Sequence, residues 1–305
     1  MKQNNKNNGL VSICIPTYNG ATFLQEALDS IKRQTYKNIE VIISDDASSD
    51  ESLIIIEKFK KGVSFSITIY HHEPSGIGAN WNHCIKKANG SFIKYLFQDD
   101  VLHPDCIEKI VQVFKQNPQL GLVACKRDFI IEGKPYDTIN DWINKYGNLQ
   151  EQFEKNEPIT YLDTSLFKRK DFLSSPMNKI GEPPTVMFKK SILKKVGYFD
   201  ESLKQILDYV FYYRVLKHYP IAIINEPLVS FRIHEAQATN VNRNQPILDY
   251  QLYDRILYKE FYNLLHPSIQ LKLAKKYSIF TKLKTRATRV YKKVRGKIGN
   301  YYRNL

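Results

Sequence analysis

The sequence predicts an α/β fold: a mostly parallel sheet with helices on both faces. Three observations carry this expectation. Apolar, β-branched runs alternate with amphipathic stretches through the first 130 positions. Polar clusters follow several of those runs immediately, where an open α/β sheet places its ligand. No internal repeat and no low-complexity tract beyond the Asn-rich start points to a solenoid or fibre.

The elements follow in order. LVSICIP (10–16) reads as a buried strand. ATFLQEALDSIKRQ (21–34) has Phe23, Leu24, Ala27, Leu28 and Ile31 at helical spacing. IEVIIS (39–44) is a second buried strand, and 49–60 is helix-like around Leu53, Ile54 and Ile56. SFSITIYH (64–71) alternates as a strand does, IGANWNHCIKKANG is a helix closed by Gly90, and SFIKYLF (91–97) is a fourth strand. Pro104 is expected to open a helix to about Lys115, and LGLVACKRDF (120–129) reads as a strand. Residues 131–182 read as a variable insertion with short helices and a charged patch, KRKD (168–171). TVMFKKSILKKVGYFDE (185–201) returns to regular pattern, QILDYVFYYRVLKH (205–218) is a helix, and IAIIN and LVSFRIH read as two strands. From Pro246 the pattern is helical to the end.

Composition narrows the classes. With 305 residues, 43% hydrophobic and 25% charged, the chain suits one large or two modest globular domains. No apolar run approaches the roughly 20 residues of a membrane-spanning helix. The polar start, MKQNNKNNGL, lacks the apolar core of a secretory leader, so a cytoplasmic protein is expected. Cys14, Cys84, Cys106 and Cys125 are scattered without zinc-like spacing, which favours reduced, buried thiols. The net charge of +14 resembles a nucleic-acid signal, but 12 of the 45 basic residues and none of the 31 acidic ones lie in 261–305. The charge belongs to the tail, and no nucleic-acid partner is expected for the body.

The strand exits hold the chemistry. PTYNG (16–20), DDASSD (45–50) and QDD (98–100) follow strands one, two and four. Adjacent carboxylates repel, so a divalent cation, basic side chains or solvent must offset each pair. These pieces, with GANWN opening a helix, then GYFDE and LDYVFYYR in this order, resemble glycosyltransferase family two, over about residues 9–240. The resemblance implies a GT-A, Rossmann-like fold, with a nucleotide-sugar half at about 9–130 and an acceptor half at about 131–240. It implies transfer of a sugar, with inversion, from a nucleotide sugar, most often a UDP-sugar, to an acceptor hydroxyl, with Mn²⁺ or Mg²⁺.

Site residues follow from the same resemblance. Asp100 is the expected metal ligand, and Asp99 the ribose contact or a second ligand. Asp45 and Asp46 are expected at the base and ribose; Ala47 stands where the family has glycine. A turn that caps the following helix is a second role for the same pair. Pro16, Thr17, Tyr18 and Asn19 are expected along the nucleotide, although Asn19 and Gly20 also suit a plain turn. Asn80 and Asn82 are candidates near the donor, and Trp81 replaces an arginine common in relatives. Asp208 takes the family's general-base position, with Leu207 in place of a second acid. Its apolar neighbour should raise its pKa, as suits a base. Asp200 and Glu201 are the nearest rivals, although they also suit the turn after SILKKVG, and Glu182 is a further alternative base. His234 can reach the metal or diphosphate, and Arg232 the phosphates.

The tail, 266–305, mixes Leu271, Leu273, Ile279, Phe280 and Leu283 with its cations. That mixture suggests a helix lying on an anionic membrane surface, which fits a glycan or lipid-linked acceptor and a place on the inner face of the cell membrane. Residues 241–305 are therefore expected to form a helical, basic extension. The alternatives are a non-catalytic binding protein tethered by that tail to membrane or RNA, and a nucleotidyltransferase. The last would want a Gly-rich basic loop after strand one, which PTYNGAT is not.

Overall fold

The structure, a computed structural model, describes residues 9–133, 137–153, 156–235, 237 and 247–278. The chain divides into two compact units. The larger takes 1–164 and 174–247; the smaller takes 165–173 and 248–305.

The larger unit is built on a nine-stranded sheet. Its strands are β1 (Val11–Thr17), β2 (Ile39–Asp45), β3 (Ser66–His71), β4 (Phe92–Tyr95), β5 (Val101–Leu102), β6 (Leu122–Ile131), β7 (Ile159–Leu162), β8 (Val186–Lys189) and β9 (Ile221–Ile233). The order is β3-β2-β1-β4-β8-β6-β9-β5, with β7 pairing β9. β1 runs parallel to β2 and β4, β2 to β3, and β6 to β9. β8 is antiparallel to both of its neighbours, and β5 and β7 are antiparallel to β9. Six strands therefore share one direction, as a mostly parallel sheet requires.

Alternation along β1 decides which helix packs where. Val11, Ile13 and Ile15 face a core shared with α1 (Ala21–Lys32), α2 (Ser52–Lys60) and α4 (Cys106–Gln116). Cys14 faces the other side, which α3 (Ile77–Lys87) covers; there the Cys84 thiol lies 3.9 Å from the Ile42 carbonyl. The same face carries an aromatic cluster. Trp81 packs at 5.7 Å from Tyr95 and 5.2 Å from Phe199, and Phe199 at 4.4 Å from Phe211 of α7 (Leu207–Leu216). All four cysteines are free and buried. Gly90 is required by close approach rather than by helix termination: a Cβ there would sit 2.6 Å from Ser12 Oγ and 2.7 Å from the Leu10 carbonyl.

Four details depart from the sequence reading. IAIIN and LVSFRIH are one strand, β9; the polar Asn225-Glu226 at their junction is absorbed where the β6 register shifts at Lys126, which pairs with Pro227. The short β5 precedes α4, which begins at Cys106 rather than at Pro104. The 131–182 stretch contains α5 (Asp137–Tyr146) and also β7, whose four residues are too few for a period to register. The helical region after Pro246 runs without a gap from Asp249–Ile256 through a π turn, Leu257–Phe261, and a 3-10 turn, Tyr262–Leu264, and breaks at Leu265 before the helix Pro267–Tyr277.

The smaller unit has its own core of Phe167, Phe172, Tyr253, Leu257, Phe261, Leu265, Ile269 and Leu273. Phe167 anchors it, with ring centroids 5.3 Å from Phe172 and 5.4 Å from Phe261. His266 caps the helix Pro267–Tyr277: its Nδ1 accepts from the Ser268 amide at 3.2 Å. The remainder of the expected basic tail, 279–305, lies outside the described residues. Among the described residues, no helix is long and apolar enough to cross a membrane.

Candidate active site

Two loops at the carboxyl ends of β1 and β2 are stitched together. The Asn19 amide donates to Ser48 Oγ (2.9 Å), the Gly20 amide to Ser52 Oγ (2.9 Å) and the Ala21 amide to Asp50 Oδ2 (2.9 Å). In return the Ser49 amide donates to Asn19 Oδ1 at 2.8 Å. The first amides of α1 are thus capped from the neighbouring loop. Asn19 and Ala47 both adopt left-handed backbone, with φ of 46° and 55°. At Ala47 this explains the family's glycine physically, since glycine takes that conformation without steric cost.

Gln98 closes the floor. It accepts from the Tyr18 amide (3.0 Å) and donates to the Tyr18 carbonyl (3.1 Å). A Cβ on Gly20 would fall 2.2 Å from Gln98 Oε1. Tyr18 itself is 55% exposed, so its ring is free to meet a ligand. Pro16 pairs Ser44 within the sheet, and Thr17 is buried with its carbonyl accepting from the Asp46 amide at 2.9 Å.

The first aspartate pair is ringed by histidines. Asp45 is buried and accepts from the Ser48 amide (3.0 Å) and Ser48 Oγ (2.5 Å), with His71 Nδ1 at 2.8 Å. His72 Nδ1 lies 3.3 Å from Asp46, while Ser44 Oγ bridges His72 and His83, each at 2.8 Å. Burial pushes the Asp46 carboxyl upward; His72 and the Asn80 side chain act against it. Asn80 is buried beside that carboxylate, whereas Asn82 is used elsewhere. Asn82 donates to the Phe199 carbonyl (2.9 Å) and Glu201 (2.8 Å) and accepts from the Phe199 amide (3.0 Å). Asn82 and Trp81 therefore tie α3 to the GYFDE turn.

The second pair is organised differently. Asp100 is 1% exposed; its Oδ1 accepts from the Arg232 amide at 3.0 Å and its Oδ2 is buried with no hydrogen-bond partner. Burial holds its carboxyl well above the usual range, and Asp99 adds to the rise. Asp99 Oδ2 lies 3.0 Å from His234 Nε2, and the Asp99 carbonyl accepts from Arg232 Nε at 2.8 Å. The rest of the Arg232 guanidinium is paired with Glu26 and Glu132 and lies over the Phe23 ring. Arg232 is thus a brace that holds the pair from behind.

The pair fits a hard cation. Asp100 offers an orphaned oxygen, which has the chemistry such an ion takes, with Asp99 and His234 beside it. Among the described residues, no three His, Cys, Asp or Glu side chains gather into a complete metal site. A cation held here would take further ligands from diphosphate oxygens and water, as Mg²⁺-type sites do.

Asp208 sits in the first turn of α7. It is 8% exposed, and burial pushes its carboxyl up to about 7 against the pull of the Tyr209 amide and Asn178. Oδ2 accepts from Asn178 Nδ2 at 3.0 Å, and Oδ1 has no hydrogen-bond partner. The two acidic regions are joined through Arg127. Asp100 acts on its charge, and Glu182 is its ion-pair partner. Its guanidinium carbon lies 5.0 Å from the Phe231 ring centroid and 5.5 Å from that of Trp142. Glu182 follows Gly181, whose backbone Asn178 binds. Glu182 is therefore committed to Arg127, and Asp208 has the unpaired oxygen. Gln98, Arg127, Asn178 and the three histidines escape sequence reasoning. Gln98 lies inside the QDD motif and His83 follows GANWN, but neither is singled out there; the others lie where no spacing marks them.

The profile of Glycosyl transferase family 2 matches residues 12–174. An uncharacterised glycosyltransferase of Rickettsia typhi is 30% identical over 245 residues, covering 80% of this chain and 70% of its own. One of Rickettsia prowazekii is 31% identical over 236 residues, covering 77% and 68%. The chain belongs to glycosyltransferase family 2. The fold agrees with S. aureus TarS residues 1–349 in complex with UDP-GlcNAc, at TM-score 0.64 and 18% identity, over 88% of this chain and 73% of that one. It also agrees with the mannosyltransferase PcManGT of Pyrobaculum calidifontis in complex with GDP-Man and Mn²⁺, at TM-score 0.54 and 16% identity, over 92% and 79%. The fold is that of a GT-A glycosyltransferase.

Proposed function

We propose that this glycosyltransferase moves a sugar, with inversion, from a UDP-sugar to an acceptor hydroxyl, using Asp208 as general base and a divalent metal at Asp100. The observation that carries the reading is the pair of buried, half-satisfied carboxylates, Asp100 and Asp208. Buried polar atoms ordinarily find partners, so the orphaned oxygens of Asp100 and Asp208, which share this feature with Asp46 and Asp128, mark places where something else belongs. Bound at Asp100, with Asp99 and His234 beside it, Mn²⁺ or Mg²⁺ would hold the charge that gathers on the departing diphosphate. Asp45, Asp46, Asn80, Tyr18 and the 16–19 strand end would hold the nucleotide. Asp45 acts mainly by fixing the loop, because its oxygens are already engaged.

Asp208 would take the acceptor proton. A carboxyl near 7 is a stronger base than an ordinary aspartate and is still largely ionised slightly above neutrality. Glu182 is the weaker candidate because it is already the ion-pair partner of Arg127. The acceptor is proposed to be a glycan or a lipid-linked glycan, in surface polysaccharide synthesis. Residues 266–305 would dock on the inner face of the membrane, with Leu271 exposed beside Lys272 and Lys275. Flotation with anionic liposomes checks this; equal partitioning of the full chain and a chain ending near residue 265 contradicts it.

A panel of nucleotide sugars tests the central reading, scored by metal-dependent hydrolysis and by thermal shift. A UDP-sugar is expected to stabilise the protein more with Mn²⁺ than without. No stabilisation by any UDP-sugar, with or without metal, overturns the reading.

A further inference from the structure

We infer that Asn178 is the positioning residue for Asp208: it holds Oδ2 and leaves Oδ1 as the oxygen that takes the acceptor's proton. The inference deepens the proposed function and rests on Asp208 being the base. Asn178 lies in the irregular stretch before Gly181 and belongs to none of the motifs above.

Its amide orientation is fixed by its own surroundings. Asn178 Oδ1 accepts from the amides of Ile180 (3.0 Å) and Gly181 (3.1 Å), and Nδ2 donates to the Gly181 carbonyl (2.9 Å). Two backbone donors on one side demand an acceptor there, so the side chain cannot be turned over. The nitrogen must face Asp208. Nδ2 has two hydrogens, and both are used: one on Gly181, one on Asp208 Oδ2 at 3.0 Å. The carboxylate plane is held by a group that is itself locked, as a preorganised base requires.

The Tyr209 and Asp208 amides also act on this carboxylate, but no side chain is paired with Oδ1. Tyr212 and Tyr213 on the same helix are pushed up by burial and stay neutral. The nearby Lys179 turns its ammonium to the carbonyls of Ser174 (3.3 Å) and Pro176 (3.0 Å), and Glu182 pairs with Arg127. In the transfer step the acceptor O–H bond breaks and the proton goes to Asp208 Oδ1. The freed pair forms the new bond to the sugar carbon, and the diphosphate leaves with the electrons of its own bond. Asn178 donates to the anionic carboxylate, so it also restrains the upward shift that burial imposes.

The test is a carbon-13 NMR titration of the full chain labelled at aspartate carboxyls, with the Asp208 signal assigned by its loss in Asp208→Asn. In Asn178→Ala the Asp208 midpoint should move up by about 1 pH unit. In Asn178→Asp it should move further, because an oxygen then faces Oδ2 while the two backbone amides keep an acceptor. If one variant fails to fold, the other decides. A folded variant with the wild-type midpoint overturns the inference. Turnover should fall about 10-fold or more at neutral pH with KM for the donor unchanged. The base reading fails separately: Asp208→Asn with wild-type turnover sinks it. An inactive Asp208→Asn beside an unmoved midpoint sinks only the role of Asn178.

Discussion

Asp45-Asp46 and Asp99-Asp100 are the same dipeptide, and each keeps one buried oxygen without a hydrogen-bond partner, on Asp46 and on Asp100; the protein treats Asp45 and Asp100 in opposite ways. Asp45 is closed: Ser48 and His71 engage its oxygens, and the loop after β1 is sewn to the same turn. Asp100 is open: one oxygen is braced by the Arg232 amide, and the other is buried with nothing to meet it. A closed carboxylate builds a loop. An open one costs stability in the empty protein and is set to receive a positive charge. Asp208 belongs to the open class, without a like-charged neighbour beside it in sequence.

The comparison can be broken most severely at Asp208. Asp208→Asn should lower transfer by about 10³-fold or more while UDP binding is kept, since an amide accepts no proton. Steady-state turnover beside calorimetry reads both. The acid limb of wild-type turnover should fall near pH 7, with activity rising as Asp208 loses its proton. The same shift predicts a stability effect of definite sign. Asp208 holds its proton more tightly folded than unfolded, so the folded state loses stability as pH rises from about 4 to about 7. Asp208→Asn should therefore be more stable than wild type at pH 8, by up to about 4 kcal/mol, and equal to it below pH 4. Chemical denaturation at the two pH values checks this.

At the closed Asp45 the sign reverses. Asp45→Ala removes the acceptor for two Ser48 donors in a buried turn and should cost about 2–4 kcal/mol at neutral pH. A smaller effect is expected at Ala47, whose φ of 55° favours glycine. Ala47→Gly should change stability by at most about 1 kcal/mol, upward, because relief of backbone strain is partly offset by unfolded-state entropy.

Much of this was legible in the sequence, and the legible part has a physical common factor. Buried parallel strands are continuous apolar runs, so β1, β2 and β4 stand out, and polar residues at their ends mark the site. β5 and β7 do not stand out because two and four residues carry no period. The division between closed and open carboxylates was not legible either. It depends on His71, Ser48, Arg232 and burial, which the dipeptide does not encode. Asn178 was hidden for the same reason. Its role comes from three backbone partners in a turn, and no spacing announces a turn of that kind.

The most direct test is calorimetric titration of UDP, with and without Mn²⁺, into wild type, Asp100→Ala and Asp45→Asn. Mn²⁺ should tighten UDP binding to wild type and to folded Asp45→Asn, and should make no difference to Asp100→Ala. Equal Mn²⁺ enhancement in wild type and Asp100→Ala would contradict the account.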